Sequence, residues 1–130
     1  MKNGFSLIEL LLVLGLIGLL AAMAYPNYTH LLVRTRRLEA ETALLNLANR
    51  LEQGDPHALS QTKLLTRWYD INIRETTNKH DSYTLTAMPL GSQGTQDRLC
   101  QALTLTREGI EGMAEGPEGY PTGLIERCWS

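Results

Sequence analysis

One acid interrupts a long apolar run. Glu9 lies inside the stretch from Phe5 to Ala24, roughly 20 apolar or small residues, long enough as a helix to cross ~30 Å of hydrocarbon. A carboxylate in such a helix costs on the order of 2.5–3.5 kcal/mol on insertion scales. An anchor alone would carry Leu at that position, so Glu9 calls for a cationic partner. The Gly4-Phe5 junction supplies one if the chain is cut there. Phe5 then gains a free α-amine, four residues before Glu9 and on the same helix face. The acid can answer its own amine or that of a neighbouring copy. In the second case a costly charge becomes a register device, a use that buried polar groups serve elsewhere.

The other chemistry-bearing residues do not form a catalytic or metal-binding pattern. His30, His57 and His80 are far apart, and none has a second ligand at metal spacing. There is no Gly-rich phosphate loop and no nucleophile elbow. Asp70 and Asp81 read as solvated strand-end acids, and Asp97 and Glu108 are too sparse for a calcium loop. No catalytic residue, metal or cofactor is expected; the chain reads as the substrate of an enzyme. Arg37 and Glu41, four apart, could pair on the helix surface, a contact worth little by itself. Lys63, Arg67, Arg74, Lys79, Arg98, Arg107 and Arg127 would form an anion-binding stripe if they converged, and such binding would weaken with salt. A net charge of −2 and only 6% aromatic residues weigh against nucleic acid as a partner.

The N-terminal residues resemble the type IV prepilin family. Its motif is a short basic leader ending in Gly, then Phe, three residues, Glu and a long apolar helix. Here these are Lys2, Gly4, Phe5-Ser6-Leu7-Ile8-Glu9 and Leu10 onward. The resemblance implies that a membrane prepilin peptidase cuts between Gly4 and Phe5 and that Phe5 is N-methylated. It implies that Glu9 pairs with the N-terminus of an adjacent subunit during assembly. It also implies that Pro26 curves the helix and that Gly18 to Pro26 can lose helical order in the fibre. A secretory signal would have an apolar core of about 7–15 residues without acid before a small-x-small site. Ala21-Ala22-Met23-Ala24 could pass for that site, but the run is longer and contains Glu9. A plain anchor explains the length and leaves Glu9 unexplained.

The chain has 130 residues, so roughly 100 remain after a membrane helix, enough for one small domain. The apolar run meets Pro26, where a kink is expected, and Tyr25 and Tyr28 sit where an interfacial aromatic belt would lie. The helix pattern continues to about Gln53, where Gly54 caps it and Pro56 blocks it. Ala40, Ala43, Leu44, Leu47, Ala48 and Leu51 fall on one stripe of about 140° that should bury against a sheet. Leu31, Leu38 and Leu45 fall on the opposite side, either to meet other subunits or to lie under the following loop or in solvent.

Residues 54–68 form a connection with a short helical turn around His57 to Leu65. Alternation around Tyr69, Ile71 and Ile73, around Tyr83, Leu85 and Ala87, and around Leu103 and Leu105 predicts antiparallel strands. A short last strand is expected near Ile110, with turns at Thr76 to Asp81 and at Gly91 to Gly94. One face should carry Tyr69, Ile71, Tyr83, Leu85, Leu103 and Leu105 against the helix stripe. Two cysteines, Cys100 and Cys128, suggest one disulfide in an oxidising compartment, with two reduced thiols as the alternative. The Gly- and Pro-rich tail from Gly112 to Gly123 would be floppy without that bridge.

The order of Ser82 to Ala87, Cys100, Leu103 to Leu105 and Cys128-Trp129 is similar in outline to PilE-type minor pilins. The expected fold is therefore α+β, a type IV pilin fold. Residues 1–4 are a leader, 5–25 a transmembrane and assembly helix, and 26–53 its amphipathic continuation. Residues 54–68 form the connecting loop, and 69–130 the antiparallel sheet with a disulfide-closed C-terminal region. The expected function is a structural, minor subunit of a type IV pilus. Its partners would be other pilin subunits through the N-terminal helix, the prepilin peptidase and the inner membrane before assembly. Its location would be a single-pass inner-membrane protein with a periplasmic C-terminal domain, then an extracellular pilus. The positive-inside rule taken alone would reverse that orientation, because Arg34, Arg36 and Arg37 follow the apolar run. The alternatives are a type II secretion pseudopilin and a DNA-binding pilin used in uptake.

Overall fold

The structure, a computed structural model, describes residues 3–75 and 82–130. The turn expected at Thr76 to Asp81, and with it Lys79 and His80, lies outside the described residues. The chain divides into two units, Met1–Leu32 and Val33–Ser130.

The first unit is the N-terminal part of helix α1 (Leu7–Glu52). Its side chains are exposed almost throughout, and none of the apolar window is buried. Leu, Ile, Ala and Gly fill it, so nothing in this stretch competes with the backbone ladder except Pro26. Pro26 lacks the amide that would donate to the Ala22 carbonyl. The helix nonetheless runs unbroken through it. Thr29 Oγ1 donates to the Pro26 carbonyl at 2.8 Å. Gly18 to Pro26 are helical in the isolated chain.

In the second unit, α1 ends where the sequence predicts. Gly54 takes a left-handed φ of 76°, which glycine adopts without a Cβ penalty. The amides of Gly54 and Asp55 donate to the Leu51 and Arg50 carbonyls. Helix α2 (Ala58–Leu65) follows. Four strands, β1 (Tyr69–Glu75), β2 (Tyr83–Pro89), β3 (Ala102–Thr106) and β4 (Glu111–Ala114), form an antiparallel sheet in the order β1-β2-β3-β4. The last strand starts just after Ile110, which is exposed.

Register sets which residues face the helix. Ile71 pairs with Ala87, Ile73 with Leu85, Leu85 with Leu105, and Ala87 with Leu103. These sit on one face, because side chains alternate along a strand. They join Ala40, Leu44 and Leu47 of α1 in one buried core with Tyr69, Cys100, Cys128 and Trp129. Each fully buried Leu or Ile contributes about 1.5–3 kcal/mol over exposure. Thr84, Thr86, Thr104 and Thr106 pair across strands on the other face. Leu38 and Leu45 remain 50% and 52% exposed, so the loop does not cover that part of the second helix stripe.

One expectation needs correction. Gly91 to Gly94 is not a simple turn: Gly91 has φ 53° and leads into a single helical turn, α3 (Ser92–Gln96). The tail from Gly112, expected to be floppy only without the Cys100–Cys128 bridge, is ordered with that bridge closed. It supplies part of β4, a bridge between Gly116 and Gly119, and hydrogen bonds from Thr122 and Gly123 to the Arg98 and Leu99 carbonyls. At Gly123 the chain passes so close that a Cβ would lie 2.5 Å from Leu99 Cγ.

Candidate functional site

The N-terminal residues come first. Gly4 and Phe5 precede the helix, and the Phe5 side chain is 88% exposed. A Cβ at Gly4 would meet nothing within 4 Å, so the fold itself does not demand glycine there. The helix begins at Leu7, which makes Ser6 its N-cap and Glu9 the third helical residue. Ser6 Oγ accepts the Glu9 backbone N–H at 3.2 Å. Glu9 Oε2 accepts the Ser6 backbone N–H at 3.2 Å, with Ser6 Oγ 3.5 Å away. This reciprocal pair is a capping box, which satisfies two of the amides a helix start leaves without partners. The signal Ser-x-x-Glu stands in the sequence, but Glu9 reads there only as an acid awaiting a cation. Its carboxylate already has a local use. The second oxygen, Oε1, takes part in none of these contacts.

A second polar cluster lies between α1 and the C-terminal region. Arg37 and Glu41 do not pair on the surface. They are 9% and 6% exposed, and each binds the disulfide-closed region instead. Arg37 donates through Nε and Nη2 to Asp97 at 3.0 and 2.7 Å, and through Nη1 to the Arg127 carbonyl at 3.4 Å. Asp97 is 1% exposed. Glu41 accepts the backbone N–H of Ser130 at 3.2 Å and its hydroxyl. Gln93 donates to Tyr69 Oη at 2.9 Å and to the Val33 carbonyl at 3.1 Å, while its Oε1 is buried without a partner. Burial, with Asp97 nearby, holds the Tyr69 phenol well above its usual range against the opposing pull of the Gln93 hydrogen bond.

The Cys100–Cys128 disulfide is present, with a Cα–Cα distance of 5.5 Å, and both residues are buried. It lies between the two halves of this cluster. Asp97 precedes Cys100 by three residues, and Ser130 follows Cys128 by two. Trp129 donates its indole N–H to the Gly112 carbonyl at 2.9 Å, fastening the same segment to β4. Sequence reasoning missed Asp97 and Gln93 because their partners lie 60 and 24 residues away, beyond any local pattern.

Three of the seven basic residues of the possible stripe stand beside acids. Lys63 lies 3.7 Å from Asp70, Arg98 3.8 Å from Glu118, and Arg107 3.0 Å from Glu52. The basic residues just after the apolar run are partly engaged as well. Arg37 is buried on Asp97, and Arg36 stacks 3.5 Å over the Trp68 ring. Among the described residues no three His, Cys, Asp or Glu side chains gather into a metal site.

Residues 1–25 match the family described as the prokaryotic N-terminal methylation motif. The chain is similar to the "Type IV major fimbrial protein FimA" of Dichelobacter nodosus, 39% identical over 59 residues, 42% of this chain and 37% of that protein. It is 49% identical over 43 residues to the "Type IV major pilin protein PilA" of Myxococcus xanthus, 33% of this chain and 20% of that protein. A "Fimbrial protein" of Pseudomonas aeruginosa is 38% identical over 80 residues, 58% of this chain and 51% of that protein. The chain thus spans about half or less of these relatives' lengths. The N-terminal motif is the one that family describes, and the fold matches the type IV pilin fold. The long N-terminal helix, the four-stranded antiparallel sheet of the described residues and the C-terminal disulfide carry that match.

Proposed function

We propose that this chain is a type IV pilin, a structural subunit of a type IV pilus and not an enzyme. Residues 5–25 hold it in the inner membrane with the C-terminal domain in the periplasm. The prepilin peptidase cuts between Gly4 and Phe5 and methylates the Phe5 amine. Glu9 then meets the N-terminal ammonium of an adjacent subunit, and the apolar helices bundle in the fibre, with Pro26 setting the helix course there. The observation that carries this reading is an exposed Gly4-Phe5 junction next to an exposed apolar helix bearing a single acid. Exposure of the junction suits a peptidase. The absence of any steric need for glycine at Gly4 suits a recognition role instead.

The test is the mass of the mature N-terminus in the presence of the peptidase. We expect a chain starting at methylated Phe5, and an unprocessed chain in Gly4→Ala. A mature chain that keeps Met1, or starts well beyond Phe5, would sink the reading.

The finer proposal is a minor subunit. It rests on the order of strands and cysteines in the C-terminal half, whereas two of the relatives above are named as major proteins. Subunit stoichiometry in sheared fibres decides it: a minor subunit is a small fraction of the fibre protein, a major one most of it.

A further inference from the structure

The capping box gives Glu9 two tasks, and the geometry divides them between its two oxygens. We propose that Ser6 is a positioning residue for assembly: it holds Glu9 Oε2 at the helix's own N-terminus and leaves Oε1 for the ammonium of a second copy. The inference rests on the assembly reading above and names the residue that prepares the acid for it.

The argument is physical. The first-turn amides of a helix have no intrahelical acceptors, and in hydrocarbon no water replaces them. Glu9 Oε2 satisfies the Ser6 amide at 3.2 Å, and Ser6 Oγ satisfies the Glu9 amide at 3.2 Å. The carboxylate is also placed where the positive end of the helix dipole favours it. A carboxylate has about four lone-pair sites, so the cap leaves capacity for a further donor. A Glu side chain free to rotate would lose rotamer freedom on pairing with another subunit; one already held by Ser6 loses less. The cap therefore lowers the cost of docking without touching the partner.

Glutamine closes the same box, because the N3 position of the motif accepts Glu or Gln. Glu9→Gln thus keeps the cap and removes the charge, while Ser6→Ala keeps the charge and removes the cap. The experiment expresses full-length Ser6→Ala, Ser6→Thr, Glu9→Gln and Glu9→Ala with the assembly machinery. Two quantities are read for each: the cleaved fraction in the membrane and the amount in sheared fibres. We expect all four to be cleaved. Ser6→Ala should enter fibres roughly three- to tenfold less than the parent, the range that losing an N-cap implies. Ser6→Thr should restore entry, and both Glu9 variants should fail to enter. Entry of Ser6→Ala at the parental level while Glu9→Ala fails would overturn the role of Ser6 and leave the assembly reading standing. Normal entry of both Ser6→Ala and Glu9→Ala would overturn both. An uncleaved Ser6→Ala would move the role of Ser6 to the peptidase and overturn the inference, as would a Ser6→Thr that is cleaved but stays out of fibres.

Discussion

Arg37 has its charge in a site that only one partner can justify. Its guanidinium grips Asp97 with two nitrogens inside the protein, and Asp97 has almost no contact with solvent. Removing one member of such a pair leaves the other buried and unanswered, which costs about 3–5 kcal/mol. Arg37→Ala should therefore lower the unfolding free energy by about that amount in urea titrations. Replacing both residues with apolar ones of similar size should cost much less. Asp55 makes a different prediction. The backbone N–H of His57 and then the side chain of Arg50 hold its carboxyl below the ordinary value of 3.8. A depressed carboxyl stabilises the fold above its unfolded value, and that stabilisation is lost as pH falls through the lower folded value. The His57 amide, 2.9 Å from Asp55 Oδ1, should keep its exchange protection at pH 5 and lose it in the acid range below 3.8. Protection unchanged down to pH 2 would remove Asp55 as its source.

At the scale of elements, the disulfide links the two chain segments that meet α1. Closing a loop with a sequence separation of 28 is worth ~3–4 kcal/mol in the chain-entropy model. The bridge also sets where Asp97 and Ser130 arrive, so opening it should loosen more than its own loop. Cys100→Ser with Cys128→Ser should raise amide exchange across residues 97–130 and also at Arg37 and Glu41 on the helix. Exchange confined to 100–128 would mean that the two contacts hold without the bridge. The elements themselves were legible in the sequence wherever a local pattern sets them. The helix stripe from Ala40 to Leu51, the stop at Gly54 and the alternation in β1, β2 and β3 follow from side-chain period and backbone freedom. The α3 turn was not legible, because Ser92 to Gln96 carries no apolar period; what holds it is Gln93 reaching Tyr69 and Val33 from another part of the chain. The possible Arg37–Glu41 pair does not form, for the same reason. Spacing alone identifies neighbours on a helix, whereas burial brought each a stronger distant partner. At the N-terminus Ser6 and Glu9 carry the capping-box pattern, but a lone acid in an apolar run signals a missing cation as strongly as it signals a cap.

For the whole molecule, two apolar surfaces await occupants. One is the membrane stretch. The other is the second stripe of α1, where Leu38 borders a groove of about 370 Å³ with Thr42, Ala43 and Leu65. If neighbouring subunits cover that stripe, Leu38→Glu and Leu45→Glu should leave the unfolding free energy within about 0.5 kcal/mol, as exposed substitutions usually do. The same variants should reduce entry into fibres, read in the sheared fraction. Unchanged entry would remove the stripe from the assembly surface. The buried charged residues of the same helix, Arg37 and Glu41, have a further bearing on modularity. Arg37 and Glu41 receive residues from both flanks of the bridged loop, one helical turn apart. A chimera that transplants the loop from Asp97 to Ser130 onto another subunit must carry those two helix positions with it. Without them the graft brings the buried Asp97 and the Ser130 N–H and hydroxyl with nothing to receive them.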